Sequence, residues 1–228
     1  NIKYFEDTYG NIIASYKNPL NGNSKPPIAF VSHMDHPGIE ITSVEKGNSV
    51  GKMIGRTSDS IFTETTPLII HDSEGQIIKG ESIKSDTQSS ETIQIMTPEN
   101  KLPVLPAFAV FDLPEFILEG GKIRMRACDD LVGCAASLTI LEHLAKENKP
   151  GNVQAIFTRA EEAGLVGARL LAHDELISKE TIIISIETSK SIPGGEIGKG
   201  PIIRVGDAAT TFSQTAESLL NISREHLK

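Results

Sequence analysis

Six side chains of metal-binding type stand at or just beyond short apolar runs of this 228-residue chain: His33, Asp35, Asp129, Glu161, Glu162 and Glu187. One imidazole among several carboxylates is a donor set for zinc, cobalt or manganese, and a carboxylate shared between two ions is the usual device of dinuclear hydrolases. His33 and Asp35 lie two positions apart, which in an extended chain puts them on the same side. Each residue also has a plainer reading. Asp129 or Asp130 would serve to cap a following helix. Glu161-Glu162 reads as a solvated pair at a helix start, favoured by the helix dipole. Glu187 reads as a surface residue at a strand end. Recurrence is what favours chemistry, because ligands of open α/β sheets sit beyond the carboxyl ends of successive strands.

The elements that must position these residues follow from the apolar pattern. Ile2 to Phe5, a turn at Asp7 to Gly10 and Ile12 to Tyr16 form a hairpin pattern, followed by a polar loop from Asn18 to Pro27. Pro27 to Ser32, Val153 to Thr158 and Ile182 to Ile186 are short continuous apolar runs, as expected of strands buried on both faces. A short strand at Ile123 leads through Cys128-Asp129-Asp130 into a helix from Leu131 to Lys146, with Val132, Ala136, Ile140 and Leu144 at helical spacing and Pro150-Gly151 as its stop. A second helix is expected from Leu165 to Ala172, a strand at Ile202-Ile203-Arg204 and a helix start at Ser223. Alternating strands and helices predict an α/β domain with a largely parallel central sheet flanked by helices.

Between these parts the texture changes to Ser/Thr-rich short strands with frequent turns, including Pro67 to His71 and Gln76 to Lys79 around the turn Asp72-Ser73-Glu74-Gly75. The expected organisation is therefore a catalytic domain in two parts, 1–43 and 123–228, with a small all-β, barrel-like domain inserted at 44–122.

Composition narrows the partners. The formal charge is −8 and the basic residues are scattered, which argues against a phosphate-binding surface and hence against nucleic acid. Two cysteines, Cys128 and Cys134, are too few for a disulfide framework and flank the Asp129-Asp130 turn, so they read as reduced thiols of a cytoplasmic protein. The apolar runs are of strand length, and neither a membrane span nor an export signal is visible.

Three runs resemble one family: Ser32-His33-Met34-Asp35, Ala127-Cys128-Asp129-Asp130-Leu131-Val132-Gly133, and Phe157-Thr158-Arg159-Ala160-Glu161-Glu162-Ala163-Gly164-Leu165-Val166-Gly167-Ala168. They look like the TET-type metalloaminopeptidases, the glutamyl and deblocking aminopeptidases formerly called endoglucanases. The family likewise inserts a small β domain between its His-x-Asp and its Asp-Asp. The resemblance implies a zinc-peptidase-like catalytic domain holding two divalent metal ions per subunit, zinc before cobalt or manganese. His33 and Glu187 would bind the first ion, Asp129 would bridge, and Glu162 would bind the second. Asp35 would orient the His33 imidazole. Glu161 would be the general base that deprotonates the attacking water. The family has Asp at the Glu187 position, and the bond between Asp129 and Asp130 is expected to be cis.

The resemblance also implies cleavage at the amino end of peptides, inside a homo-oligomer of dimers assembling into a dodecamer, with the β domain as dimer contact. It places a helical segment before the first hairpin and the second metal's histidine beyond Lys228, so the sequence reads as a fragment. His36, His71, His143, His173 and His226 are not expected to supply that ligand. The stretch Pro193-Gly194-Gly195-Glu196 to Gly200-Pro201 resembles the family's active-site rim. Two other readings stand beside this one: a related metal-dependent N-acyl amino acid deacylase or carboxypeptidase, and a catalytically silent paralogue kept for assembly or peptide binding.

Overall fold

A computed structural model of the chain describes residues 2–19, 26–45, 47–57, 64–84, 92–98, 101–207 and 209–227. In chain order the strands are β1 (Ile2–Glu6), β2 (Ile12–Asn18), β3 (Ile28–His33), β4 (Gly38–Glu45), β5 (Asn48–Ile54), β6 (Thr66–His71), β7 (Ile77–Ser82), β8 (Ile93–Met96), β9 (Ala107–Phe111), β10 (Ile117–Glu119) and β11 (Lys122–Arg124). Helix α1 (Cys128–Lys146), strand β12 (Gly151–Thr158), helix α2 (Val166–His173), strand β13 (Ile182–Ser185) and helix α3 (Gln214–Glu225) follow. The chain divides into two compact units, Asn1–Thr188 and Ser189–Lys228.

In the first unit, the apolar runs meet in a five-stranded sheet of order β1-β2-β12-β3-β13. The expectation of a largely parallel sheet is half met. β3 runs parallel to β12 and to β13, but the opening hairpin joins the same sheet, so β1 pairs antiparallel with β2 and β2 antiparallel with β12. A two-sided apolar run shows that a strand is buried without showing which neighbour lies beside it.

Alternation along the strands builds a core on each face. Ala14, Tyr16, Ala155 and Phe157 meet Cys134 and Leu141 of α1 on one side. Ile13, Ala29 and Ile156 meet Leu171 of α2 on the other. Ile13 and Ile156 are essentially inaccessible, and each such side chain contributes roughly 1.5–3 kcal/mol. Of the expected stripe on α1, Leu144 packs partly against this core, Ile140 is half-buried, and Val132 and Ala136 are exposed. Asp130, Gly133, Cys134, Ser137 and Leu141 face inward. Small residues let this helix lie close to β3, and Cys134 Sγ donates to the His33 carbonyl at 3.2 Å.

Strands β4 to β9 close into a barrel of order β4-β5-β8-β7-β6-β9. Its interior is a separate cluster that includes Ile39, Leu68, Ile70, Ile78, Ile93 and Ile95. Closure satisfies both edges of the sheet, which a small open sheet would leave exposed. The short strand expected at Ile123 does not enter the central sheet. It pairs with β10 in a two-stranded ribbon, all six of whose residues are exposed.

The second unit contains two isolated bridges, Ile192 with Gly195 and Gly206 with Thr211, and helix α3. Ile202-Ile203-Arg204 forms no strand. The helix expected to start at Ser223 begins nine residues earlier, at Gln214, because Ser213 supplies the N-cap and accepts from Ala216 N. His226 is its C-cap. Among the described residues no helix is long and apolar enough to cross a membrane.

Candidate metal and catalytic centre

The carboxyl ends of β3, β12 and β13 lie side by side, and α1 begins against β3. His33 closes β3, Glu161 and Glu162 follow β12, Glu187 follows β13, and Asp129 stands in the first turn of α1. The two site loops are conformationally demanding. Ala127 at φ 57° precedes the Cys128-Asp129-Asp130 turn, and Ala160 at φ 53° immediately precedes Glu161. A left-handed residue other than glycine costs about 1 kcal/mol or more and is tolerated where surrounding contacts impose it. The Asp129-Asp130 peptide is cis.

His33 is almost completely buried, at 3% exposure. Its Nδ1 lies 2.9 Å from the Asp35 backbone oxygen, which can only accept, so the proton belongs on Nδ1 and Nε2 is left to face the site. Nε2 meets Asp129 Oδ1 at 3.1 Å, Glu187 Oε1 at 3.8 Å and Glu161 Oε2 at 4.0 Å.

One donor atom from each of His33, Asp129 and Glu187 lies within 4.8 Å of the others. Tetrahedral ligands at about 2.0–2.1 Å from zinc stand roughly 3.4 Å apart. The separations of 3.1 and 3.8 Å from His33 Nε2 bracket that value, so these residues fit a divalent cation.

The electrostatics agree. Burial works against a charged His33, but hydrogen bonds with Asp35 and Glu187 outweigh it and push the imidazole up to about 11. Burial, together with the nearby Glu187 charge, pushes the Asp130 carboxyl up to about 7. Burial raises Asp129, and the neighbouring Glu187 carboxylate raises it further. Glu187 is itself held down against its burial by hydrogen bonds from His33 and Asp129. Burial likewise raises Glu161 and Glu162, with His33 pulling each part of the way back. More acid is gathered here than one imidazole neutralises, and a cation relieves that imbalance.

The Asp35 carboxylate meets the backbone of the two glutamates. Its Oδ1 accepts from Glu161 N at 3.0 Å and its Oδ2 from Glu162 N at 3.1 Å. Against the effect of burial, the His33 imidazole and these two bonds hold its carboxyl below the ordinary aspartate value. Glu162 stands apart from the donor triad and meets the barrel. A Cβ on Gly55 would come within 3.0 Å of Glu162 Cβ and Oε2, and the Arg56 backbone N–H donates to the Glu162 carboxylate.

Three contributors escape a reading of the sequence: Gly55 and Arg56, from a strand end in the barrel, and Asn11. Asn11 is completely buried although polar. Its signal is a polar residue at the head of the apolar run Ile12 to Ala14, where an amide must find partners.

The sequence model of the M42 glutamyl aminopeptidase family matches residues 104–226, just over half of the chain. Several solved structures share the fold. The TET1 peptidase of Pyrococcus horikoshii aligns over 99% of this chain and 72% of its own, with a TM-score of 0.78 and 24% identity. The TET aminopeptidase of a marine sediment Thaumarchaeota archaeon aligns over 99% and 70%, with a TM-score of 0.80 and 18% identity. An aminopeptidase from Desulfurococcus kamchatkensis aligns over 98% and 67%, with a TM-score of 0.75 and 20% identity.

Proposed function

The chain belongs to the M42 glutamyl aminopeptidase family and is therefore a peptidase, and from that premise we propose that it releases amino-terminal residues from peptides at the His33 centre, with Glu161 as general base. The observation that carries this reading is the division of labour around His33 Nε2. Asp129 and Glu187 form a donor triad with His33, while the Glu161 carboxylate stands beside that triad at 4.0 Å from the imidazole. A base must not itself be a ligand, and in this reading Glu161 is the carboxylate left outside the triad.

His33, Asp129 and Glu187 would hold one divalent ion, and Asp129 with Glu162 would take a second. When bound, such ions acidify water and polarise a carbonyl oxygen. Glu161 accepts the proton of the attacking water and delivers it to the departing amine. Its raised pKa suits both transfers, because a carboxylate nearer neutrality is a better base and a better acid. Asp35 fixes the Glu161 and Glu162 backbone through its two oxygens. A bound ion would also accept the free α-amine of a substrate as a donor, which favours the amino end of a peptide. Zinc is the preferred ion, with cobalt and manganese compatible with the same donors.

In this reading residues 1–43 and 123–228 form the catalytic domain and 44–122 the inserted domain, although the first strand of the barrel, β4, already begins at Gly38. Pyrococcus horikoshii TET1 assembles into a tetrahedron or a large octahedral shell, and we extend homo-oligomeric assembly to this chain, with the barrel as the contact between subunits.

The test is hydrolysis of amino-acid p-nitroanilides and short peptides with free and with acetylated amino termini, before and after chelation. The reading requires cleavage of the free-amine substrates only, lost on chelation and restored by zinc, cobalt or manganese. Preference for the blocked substrates would transfer the same centre to a deacylase or carboxypeptidase activity.

A further inference from the structure

Between β12 and α2 the chain makes a turn from Arg159 to Gly167 that carries Glu161 and Glu162. Its tip is held by Asp35. Its stem is held by a residue from the far end of the sequence, in the turn that leads into β2. Asn11 Oδ1 accepts from Arg159 N at 3.0 Å, and Asn11 Nδ2 donates to the Gly167 carbonyl at 3.1 Å. One amide thus spans both ends of the turn. The stem closes on itself as well, through Gly167 N to Arg159 O at 2.9 Å and Val166 N to Ala160 O at 3.0 Å.

Two further features show that the arrangement is fitted. A Cβ on Gly167 would collide with the Arg159 carbonyl and with Asn11 Oδ1, so only glycine lets α2 approach the amide this closely. Asp7 then fixes the amide itself. Its Oδ2 accepts from Asn11 Nδ2 at 2.7 Å and its Oδ1 from Asn11 N at 2.9 Å. Both polar atoms of the Asn11 side chain are thereby satisfied, as a fully buried amide requires.

We propose that Asn11 is a positioning residue for catalysis: by clamping Arg159 and Gly167 it sets the height of the Glu161-Glu162 turn over the donor triad, acting on the reaction through Glu161 without touching substrate. The proposal rests on Glu161 being the base. The left-handed backbone at Ala160 and Leu165 gives the clamp its purpose, since a turn with two such residues relaxes when its ends are released.

The test compares Asn11→Ala with Tyr16→Phe, assayed well below both melting temperatures. Tyr16 is equally buried, on the strand β2 that Asn11 precedes, and its hydroxyl donates to the Lys149 carbonyl at 2.6 Å, away from the turn. Tyr16→Phe controls for lost stability. Asn11→Ala is expected to lower kcat about 10–100-fold, the range for residues that orient others, with KM within about twofold. Amide hydrogen exchange of the metal-free protein should accelerate at Arg159 to Gly167 and remain slow in β3. Tyr16→Phe should leave kcat and the exchange of that turn unchanged.

In a Glu161→Gln background Asn11→Ala should cost less than about twofold. Unchanged kcat in Asn11→Ala, unchanged exchange at the turn, or an undiminished loss in the Glu161→Gln background would each overturn the proposal. If Glu161→Gln itself retains turnover, the assignment of the base fails, and the exchange measurement still decides whether Asn11 clamps the turn. Should Asn11→Ala not fold, Asp7→Ala, which frees the amide but leaves it in place, must show the same pattern with a smaller loss.

Discussion

Asp35 Oδ1 accepts a hydrogen bond from the Glu161 backbone N–H at 3.0 Å, so the residue whose backbone oxygen meets His33 Nδ1 also fixes, through its carboxylate, the residue proposed as the base. Because Oδ2 accepts from Glu162 N in the same way, both carboxylate oxygens are needed. Asp35→Asn offers one acceptor and turns an N–H donor towards a second N–H, leaving that pair unsatisfied. The expected result is a fall in kcat/KM of about 10–100-fold with the fold retained. Steady-state kinetics beside a thermal melt checks this, and an unchanged kcat/KM would show that the double clamp is dispensable.

The barrel enters the centre at Gly55. That residue has φ +90°, and a Cβ on it would press on Glu162 Cβ and Oε2 at 3.0 Å. Gly55→Ala therefore displaces Glu162 and strains the backbone by about 1 kcal/mol or more. Calorimetric titration with zinc should show weakened binding of one ion of two, the one that depends on Glu162. Binding at the His33, Asp129 and Glu187 triad should persist. Two unweakened sites would mean that the barrel does not position Glu162.

Asp7 is a source of acid sensitivity outside the centre. Against the effect of its burial, hydrogen bonds from the Asn11 side chain and from the backbone of Asn11, Tyr9 and Gly10 hold Asp7 below its ordinary value of 3.8. A depressed folded-state pKa stabilises the native protein above the unfolded value and loses that contribution as pH falls through the folded one. The gap in melting temperature between the wild type and Asp7→Asn should be full above pH 3.8 and should shrink below it. A gap that stays constant into acid would place the stabilisation elsewhere.

Much of this was legible in the sequence. Strands β3, β12 and β13 show as short apolar runs, and His33, Glu161 and Glu187 show as polar residues at or just beyond the ends of those runs. What was not legible depends on contacts between distant segments. The hairpin Ile2 to Tyr16 carries no mark of which strand it will join, so its antiparallel seat beside β12 came only from the structure. The inward face of α1 is set by closeness to β3, which favours Gly133, Cys134 and Ser137 over the larger Val132 and Ile140, against the apolar periodicity. The grip of Asn11 on Arg159 and the pressure of Gly55 on Glu162 join residues more than a hundred positions apart, and local pattern has no access to them.

In the proposed mechanism Glu161 moves the proton while other residues form the donor triad, and Glu161→Gln separates the two roles. The substitution keeps shape and removes only the ability to accept a proton. Its kcat on a free-amine p-nitroanilide should fall by at least about 100-fold, the lower range for loss of a general base, while bound divalent metal per subunit and KM stay at wild-type values. Turnover within a few-fold of wild type, with metal content unchanged, would exclude Glu161 as the base.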